Sequence, residues 1–170
     1  MAAKHSRTEF APILNGSGYP ISKARAVTEE WFPHELLGTL LEDQLGAGVS
    51  REVFSIFGSE TLVAKIERPG LAHWANIMEF TNWNRVKETW LEPWFAPCRA
   101  LSLGGALLIQ ARTTPIPYSM LPEKIPAIFD DLKPENFGLY EGRVVCHDYA
   151  ITSLVETGAR SKAMQKSGWR

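Results

Sequence analysis

Residues 131–138 read Asp-Leu-Lys-Pro-Glu-Asn-Phe-Gly, and this octet carries the strongest chemical signal in the chain. Phosphoryl transfer from ATP requires a carboxylate that accepts the proton of the acceptor hydroxyl, a cation near the γ-phosphate and an oxygen ligand for Mg²⁺. Asp131, Lys133 and Asn136 supply these three groups. An ordinary turn between a helix and a hairpin is the alternative interpretation, because Pro-Glu-Asn suits turns in any protein.

Upstream of the octet, the apolar pattern predicts a five-stranded antiparallel sheet and one long helix. The segments with strand character are 43–47, 52–57, 61–67, 99–103 and 106–110. Apolar residues at a spacing near 3.6 predict an amphipathic helix over 72–90, ended by Pro93. Gly104-Gly105 predicts a two-residue hairpin turn between the last two strands.

The remaining segments are shorter. Helical spacing predicts a further helix at about 33–43, and the prolines between 113 and 126 leave room for one short helix at most. A second hairpin is predicted from 137–140 and 143–146. After Asp148 we expect a short helix and a basic tail. The chain is therefore divided into a flexible N-terminal arm (1–27), the sheet-and-helix unit (28–112), a smaller unit with the octet (113–156) and the basic tail (157–170).

Two further motifs accompany the octet. Asp148-Tyr149-Ala150 follows the second predicted hairpin. Taken alone, the sequence His-Asp-Tyr at 147–149 is more often a surface turn than a functional site. Gly46-Ala47-Gly48 lies between the first two predicted strands, and such a turn serves hairpin geometry as often as it admits phosphate.

A lysine within an apolar strand also needs explanation. Lys65 requires an anionic partner if it is to stay charged in a half-buried position. The long helix offers Glu79, fourteen residues on, with Glu88 as the second choice. A solvated helical Glu and a strand-edge Lys are the alternative.

In their order and spacing, these motifs resemble those of the eukaryotic-type Ser/Thr protein kinases. The resemblance spans residues 41–150 and extends to the compact kinase-like proteins of phages and bacteria. It implies an α+β fold with a five-stranded antiparallel small lobe, one long helix and a minimal large lobe made of the catalytic loop and a hairpin. It also implies ATP and Mg²⁺ as cofactors.

The resemblance implies roles for three groups of residues. In the catalytic group, Asp131 would be the base and Lys133 would contact the γ-phosphate. Lys65 would contact the α- and β-phosphates, with Glu79 as its partner. The nucleotide-binding group consists of Gly46, Gly48, Val53, Lys65, Gln110, Ala111 and Arg112. Within it, Val53 would cover the adenine ring, and residues 110–112 would form the hinge. The metal ligands are Asn136 and Asp148.

The sequence departs from the family pattern in several places. Arg51 stands where the third glycine of the loop belongs, and Ala150 replaces the glycine of Asp-Phe-Gly. Phe129-Asp130 replaces the His-Arg before the catalytic Asp, so control by a phosphorylated activation loop is not expected. No Ala-Pro-Glu follows Asp148, and the 22 residues after it are too few for the helical platform on which kinases bind peptides.

Composition restricts the function further. The 170 residues carry 18 Lys and Arg against 19 Asp and Glu, and this near-neutral balance argues against a nucleic-acid partner. The two cysteines, Cys98 and Cys146, form no metal-binding motif and are expected as reduced thiols. No signal peptide or membrane-spanning run is recognisable, so a cytoplasmic protein without a membrane partner is expected.

Three functions are compatible with the motifs. The leading prediction is ATP- and Mg²⁺-dependent phosphoryl transfer to Ser or Thr hydroxyls of a protein, including the protein itself, because Lys133 is typical of protein rather than small-molecule kinases. The main alternative is a pseudokinase that acts by binding a partner protein, with or without ATP. The third is a small-molecule phosphotransferase. As a further hypothesis, an oligomer or a complex with a host protein supplies the missing part of the large lobe.

Overall fold

The computed structural model describes residues 31–68, 74–152 and 161–169. The predicted arm at 1–27 lies outside these residues. The chain divides into two units, Met1–Leu40 and Leu41–Arg170. In the first, a helix (α1) spans Trp31–Leu40. The prediction of helix as far as 43 was wrong, because Leu41 already pairs with Ile56 as the first residue of a strand.

The second unit contains the predicted five-stranded antiparallel sheet, which is thereby confirmed. Its strands are Leu41–Ala47 (β1), Arg51–Ile56 (β2), Ser59–Glu67 (β3), Cys98–Leu101 (β4) and Leu107–Ala111 (β5). The order across the sheet is β1-β2-β3-β5-β4, so β3 lies at the centre. A central strand is shielded from solvent by its neighbours on both sides, so a side chain on β3 that faces the helix is buried.

One long helix (α2), Ala75–Val86, packs against β3, β4 and β5. It is shorter than the predicted 72–90. It ends at Val86 because the backbone of Lys87 leaves the helical region, with φ −52° and ψ 135°, and Glu88 follows with a left-handed φ of 65°. Pro93, expected to end the helix, lies instead in a short 3₁₀ helix, Glu92–Trp94.

The connection between β4 and β5 is longer than the predicted two-residue turn and runs from Ser102 to Ala106. Gly105 in this loop has φ 75°. A Cβ atom at this position would lie 2.6 Å from the side chain of Ile77 on α2. Glycine is therefore required here both by the backbone and by the close approach of the helix.

The part of the chain that follows β5 is built on two small sheets. The hairpin is Phe137–Tyr140 (β7) with Arg143–Cys146 (β8), as predicted. The second pair joins Lys124–Pro126 (β6) to Met164–Lys166 (β9). Residues 164–166 thus form a strand where a basic tail was expected, because β6 offers them a pairing edge.

An aromatic cluster lies beneath the hairpin. Phe95 contacts Phe129 and Tyr149 with ring centroids 5.1 Å and 4.7 Å away, and Phe137 contacts Trp169 at 4.9 Å. Burial of such rings is a large hydrophobic contribution to stability. The cluster fixes the segments on both sides of the octet and of Asp148. Among the helices that the structure describes, none has the length and apolarity needed to cross a membrane.

Candidate active site

The centre of the site is an ion pair between β3 and α2. The Lys65 ammonium lies 2.5 Å from Glu79 Oε1, and the two side chains are 4% and 0% exposed. Burial acts to raise the pKa of Glu79, but the charges of Lys65 and Arg51 outweigh it and hold that pKa below its ordinary value. The contact expected from the sequence is present, and the alternative partner Glu88 is exposed beyond the end of α2.

Glu79 is surrounded by donors. Besides Lys65, its carboxylate accepts hydrogen bonds from Gln110 Nε2 at 2.9 Å and from the backbone N–H of Tyr149 at 3.3 Å. Arg51 Nη2 lies 3.0 Å from Glu79 Oε2. A carboxylate with this many donors stays ionised although it is fully buried.

Arg51 is the residue whose role the sequence reasoning missed. It pairs with Glu67 across β2 and β3, while Val53 pairs with Lys65, so both side chains lie on the face of the sheet that carries Lys65. Its Nη2 lies 2.5 Å from Asp148 Oδ1, and its Nη1 donates to Asn76 Oδ1 at 3.4 Å. The departure from glycine therefore places a second buried cation in the site.

Burial acts to lower the pKa of Arg51, but its neighbours reverse the effect. Glu79 and then Asp148 are the largest of the favourable charges, and the pKa of Arg51 is raised overall. The guanidinium is fully charged at neutral pH in any case. The signal that could have revealed it was the alternation along β2, because a strand's period of two puts residues 51 and 53 on one face.

Residues 147–149 close the site from the other side. Lys65 Nζ donates to the carbonyl oxygen of His147. Asp148 follows directly, with its side chain 52% exposed and one oxygen held by Arg51. Asn82 on α2 donates to the carbonyl of Tyr149 at 3.0 Å. Contacts from the sheet and from α2 thus fix the backbone around Asp148.

Ala150, which stands where the kinases that the sequence resembles have glycine, is part of this fixed segment. Ala150 is buried and does not adopt a left-handed backbone. The Tyr149 ring lies in the aromatic cluster, and its hydroxyl donates to the carbonyl of Ala96 at 2.7 Å. The backbone here makes no use of the freedom that glycine would give.

His147 connects Asp148 to the octet. Its N–H donates to the carbonyl of Asn136 at 2.8 Å. Burial, followed by the charge of Lys65, lowers the pKa of His147 to about 4, so the imidazole is neutral at pH 7. Its Nε2 lies 2.9 Å from the carbonyl of Glu135, which can only accept, so Nε2 carries the hydrogen and Nδ1 accepts from the hydroxyl of Thr113 at 2.8 Å.

Within the octet, the exposed residues Asp131 and Lys133 lie in a loop that leads into a 3₁₀ helix, Pro134–Asn136, and the last two residues are buried at the start of β7. Lys133 Nζ lies 3.0 Å from Asp131 Oδ2, and both side chains are well exposed. Asn136 Nδ2 donates to the carbonyl of Asp131 at 3.2 Å. Asp131 and Lys133 thus contact each other and not the Lys65–Glu79 pair, to which the loop is linked through Asn136 and His147.

The predicted phosphate loop is an open turn. Gly46 and Gly48 flank the end of β1, and the Gly48 N–H donates to the carbonyl of Arg51 at 2.8 Å. A Cβ atom at Gly46 would meet nothing within 4 Å, and one at Gly48 would make only an ordinary contact at 3.7 Å. Neither has a positive φ. The fold itself does not demand these glycines, so the space above their backbone is open to a ligand.

The predicted hinge is arranged differently from the expectation. The side chain of Gln110 is fully buried and bonded to Glu79, and its Oε1 has no partner among the residues that the structure describes. The N–H groups of Ala111 and Arg112 already donate to the carbonyls of Pro97 and Thr61, each at 2.8 Å. A base held by the backbone of these residues would use their carbonyl groups.

The residues predicted to bind Mg²⁺ are Asn136 and Asp148. Within residues 31–68, 74–152 and 161–169, no group of three or more His, Cys, Asp or Glu side chains could hold a metal ion. In nucleotide sites, however, Mg²⁺ binds to one or two carboxylates, and phosphates and waters complete the octahedron. The carboxylate of Asp148 and the amide oxygen of Asn136 are hard oxygen ligands of this kind, so they fit Mg²⁺ chemically. A metal ion would have to share Asp148 with Arg51 or displace it.

Comparison with known proteins adds no identification. No protein-family model matches the chain, and no curated protein matches it.

Proposed function

We propose that the protein is an ATP- and Mg²⁺-dependent phosphotransferase that acts on Ser or Thr hydroxyls of a protein. The single observation that carries this proposal is the buried Lys65–Glu79 pair, 2.5 Å apart, with His147 and Asp148 directly beside it. A strand lysine held by a helix glutamate next to an acidic residue is the arrangement that positions ATP phosphates in the kinases that the sequence resembles.

The cost of such a pair is the reason to assign it a function. Taking two charges out of water costs several kcal/mol each, and apolar residues of similar volume often give equal or greater stability. Lys65 lies on the central strand of the sheet, where an apolar residue would pack well. A charged group kept in such a position is a candidate for binding an anion.

In the proposed reaction, the hydroxyl oxygen of the acceptor attacks the γ-phosphorus of ATP and the bond to the β-phosphate oxygen breaks. Lys65 would hold the α- and β-phosphates, and Asp131 would accept the hydroxyl proton. Lys133 would neutralise charge at the γ-phosphate. Mg²⁺, held by Asn136 and Asp148, would neutralise the developing charge on the phosphate oxygens.

The remaining predicted residues would bind the nucleotide. The open backbone at Gly46 and Gly48 leaves room for phosphate oxygens above the sheet. Val53 lies opposite Lys65 on the same face, where it would cover the adenine ring. The protein substrate, and a second copy or host protein that completes the large lobe, belong to this proposal as partners.

A second function is favoured by one observation. Arg51 holds Asp148, the proposed metal ligand, at 2.5 Å, and this arrangement supports a pseudokinase that keeps the fold and acts by binding a partner protein. The two functions differ in one measurable respect, because only the phosphotransferase transfers the γ-phosphate.

The test is an assay with γ-labelled ATP and Mg²⁺, with and without a cell lysate, for the wild type and two variants. Asp131→Asn removes the proposed base, while Glu135→Gln removes an exposed carboxylate from the same loop. We expect label transfer by the wild type and by Glu135→Gln, and a loss of at least about 100-fold for Asp131→Asn. Equal transfer by all three would exclude the assigned base, and no transfer by the wild type would favour the pseudokinase.

A further inference from the structure

We propose that Arg51 is a built-in cation that occupies the Asp148 carboxylate in place of a divalent metal ion, so that the resting site binds nucleotide phosphates without requiring Mg²⁺. Because this inference rests on the proposed function, the phosphates are taken to enter between the turn at residues 46–48 and Asp148. Mg²⁺ must share the Asp148 carboxylate with Arg51 or displace the guanidinium from it.

The contacts of Arg51 give the first argument. Its Nη2 lies 2.5 Å from Asp148 Oδ1 and 3.0 Å from Glu79 Oε2, and the side chain is almost completely buried. A guanidinium in such a position makes charge-assisted hydrogen bonds that are stronger than neutral ones. A metal ion must therefore compete with a preorganised cation for one oxygen of Asp148.

The charge of the cluster gives the second argument. Lys65 and Arg51 carry two positive charges, and Glu79 and Asp148 carry two negative charges, so the four groups are neutral without metal. With glycine at position 51, the same cluster would carry one net negative charge. A polyphosphate would then approach the Asp148 carboxylate with no cation beside it, and repulsion between the two anions would oppose binding. The guanidinium removes this need for a divalent ion.

The backbone shows that Arg51 is held in place. It is the first residue of β2, it pairs with Glu67 on β3, and its carbonyl accepts the N–H of Gly48. Its side chain therefore starts from the sheet and not from the tip of the turn. Replacing the side chain leaves these backbone pairings intact, and Glu79 keeps its contacts with Lys65 and two other donors.

The experiment measures binding of a non-hydrolysable ATP analogue by calorimetry, once with Mg²⁺ and once with EDTA. For the wild type we expect dissociation constants within about threefold of each other in the two buffers. For Arg51→Gln we expect at least about tenfold weaker binding in EDTA and a smaller loss, or a gain, in Mg²⁺. Arg68→Gln is the matched control, because its cation pairs with Glu52 at 3.3 Å and both side chains are more than a third exposed. It should behave as the wild type.

A second measurement does not depend on nucleotide. Binding of Mn²⁺ to the nucleotide-free protein, followed by electron paramagnetic resonance, should be at least about tenfold tighter in Arg51→Gln than in the wild type. The double variant with Asp148→Asn should lose this gain. Circular dichroism verifies that each variant is folded.

The possible outcomes distinguish a failure of the proposed function from a failure of the proposed role of Arg51. Failure of the folded wild type to bind the analogue in either buffer would overturn the proposed function and, with it, the metal-free binding. Binding by the wild type that disappears in EDTA, or equal Mn²⁺ affinity in wild type and Arg51→Gln, would overturn the role of Arg51 alone.

Discussion

Replacing Glu79 by Gln should destabilise the protein strongly, because it removes the counter-ion of two buried cations. The carboxylate lies 2.5 Å from the Lys65 ammonium and 3.0 Å from the Arg51 guanidinium and is 0% exposed. At an effective dielectric constant of about 20, each attraction amounts to roughly 5 to 7 kcal/mol before the cost of burial is subtracted. Measured losses for breaking buried pairs are about 3–5 kcal/mol, and we expect a value in this range.

Urea unfolding followed by tryptophan fluorescence measures this loss, since Trp83 on α2 is buried near the pair. Glu52→Gln is the control. Glu52 pairs with Arg68 at 3.3 Å, and both side chains are more than a third exposed, so its loss should be below about 1 kcal/mol. Equal losses in the two variants would refute the reasoning that Glu79 balances the buried cations.

The same variant predicts a pH dependence. The pKa of Glu79 in the folded protein lies below its ordinary value of 4.5, so the folded state favours the ionised form. Its contribution to the free energy of unfolding is therefore fully present above about pH 4.5 and is lost as the pH falls through the lower folded value. The stability difference between the wild type and Glu79→Gln should shrink over this acidic range. A difference that stays constant from neutral pH to pH 3 would contradict it.

The other predictions concern the surroundings of the site. The pKa of His147 is lowered from 6.5 to about 4, so its contribution to the free energy of unfolding is present above pH 6.5 and is lost as the pH falls towards 4. In His147→Gln, the unfolding free energy from urea titrations should therefore change less with pH over this range. Gly138→Ala should cost about 1–3 kcal/mol in the same titration, because the new Cβ would lie 2.9 Å from the carbonyl of Thr114. In Gly46→Ala the new Cβ would meet no atom within 4 Å, so stability should be nearly unchanged, but the methyl group would occupy the space proposed for phosphate and calorimetry should show weaker nucleotide binding. Trp169→Ala should lower the unfolding free energy by about 2 kcal/mol or more, because the indole packs on an aromatic ring of β7 and donates to a backbone carbonyl at 2.9 Å.

Much of the sheet could be predicted from the sequence because its signals are local. Alternation and turn residues identify the hairpin 137–140 and 143–146 without knowledge of the rest of the chain. The partner of Lys65 could be predicted because a buried lysine needs an anion and the following helix offers Glu79 among its apolar positions, and the two side chains are in contact. Element ends were less predictable: α2 stops at Val86 because the backbone of Lys87 turns out of the helical conformation, which no local pattern reveals.

The contacts that the sequence did not predict join distant parts of the chain. β9 pairs with β6, matching Lys166 with Lys124, although neither segment has a strong strand pattern. The Arg51–Asp148 contact joins residues that are 97 positions apart. Such pairings depend on the whole fold bringing two segments together, and a pattern read over ten residues contains no information about the partner.

Arg51 has a different significance in the structure from the one it has in the sequence resemblance to protein kinases. In the sequence, Arg51 is only a departure from the glycine of the kinases that the chain resembles. In the structure, the same side chain neutralises Asp148 and shares Glu79 with Lys65. A pseudokinase would retain this neutral cluster as a stable end state, whereas in a phosphotransferase Mg²⁺ would have to share Asp148 with the guanidinium or displace it. Catalysis by the proposed phosphotransferase would therefore depend on whether Mg²⁺ and the nucleotide reach Asp148 against the competition of Arg51, and the ratio of Mn²⁺ affinities in the wild type and Arg51→Gln measures the free energy of that competition.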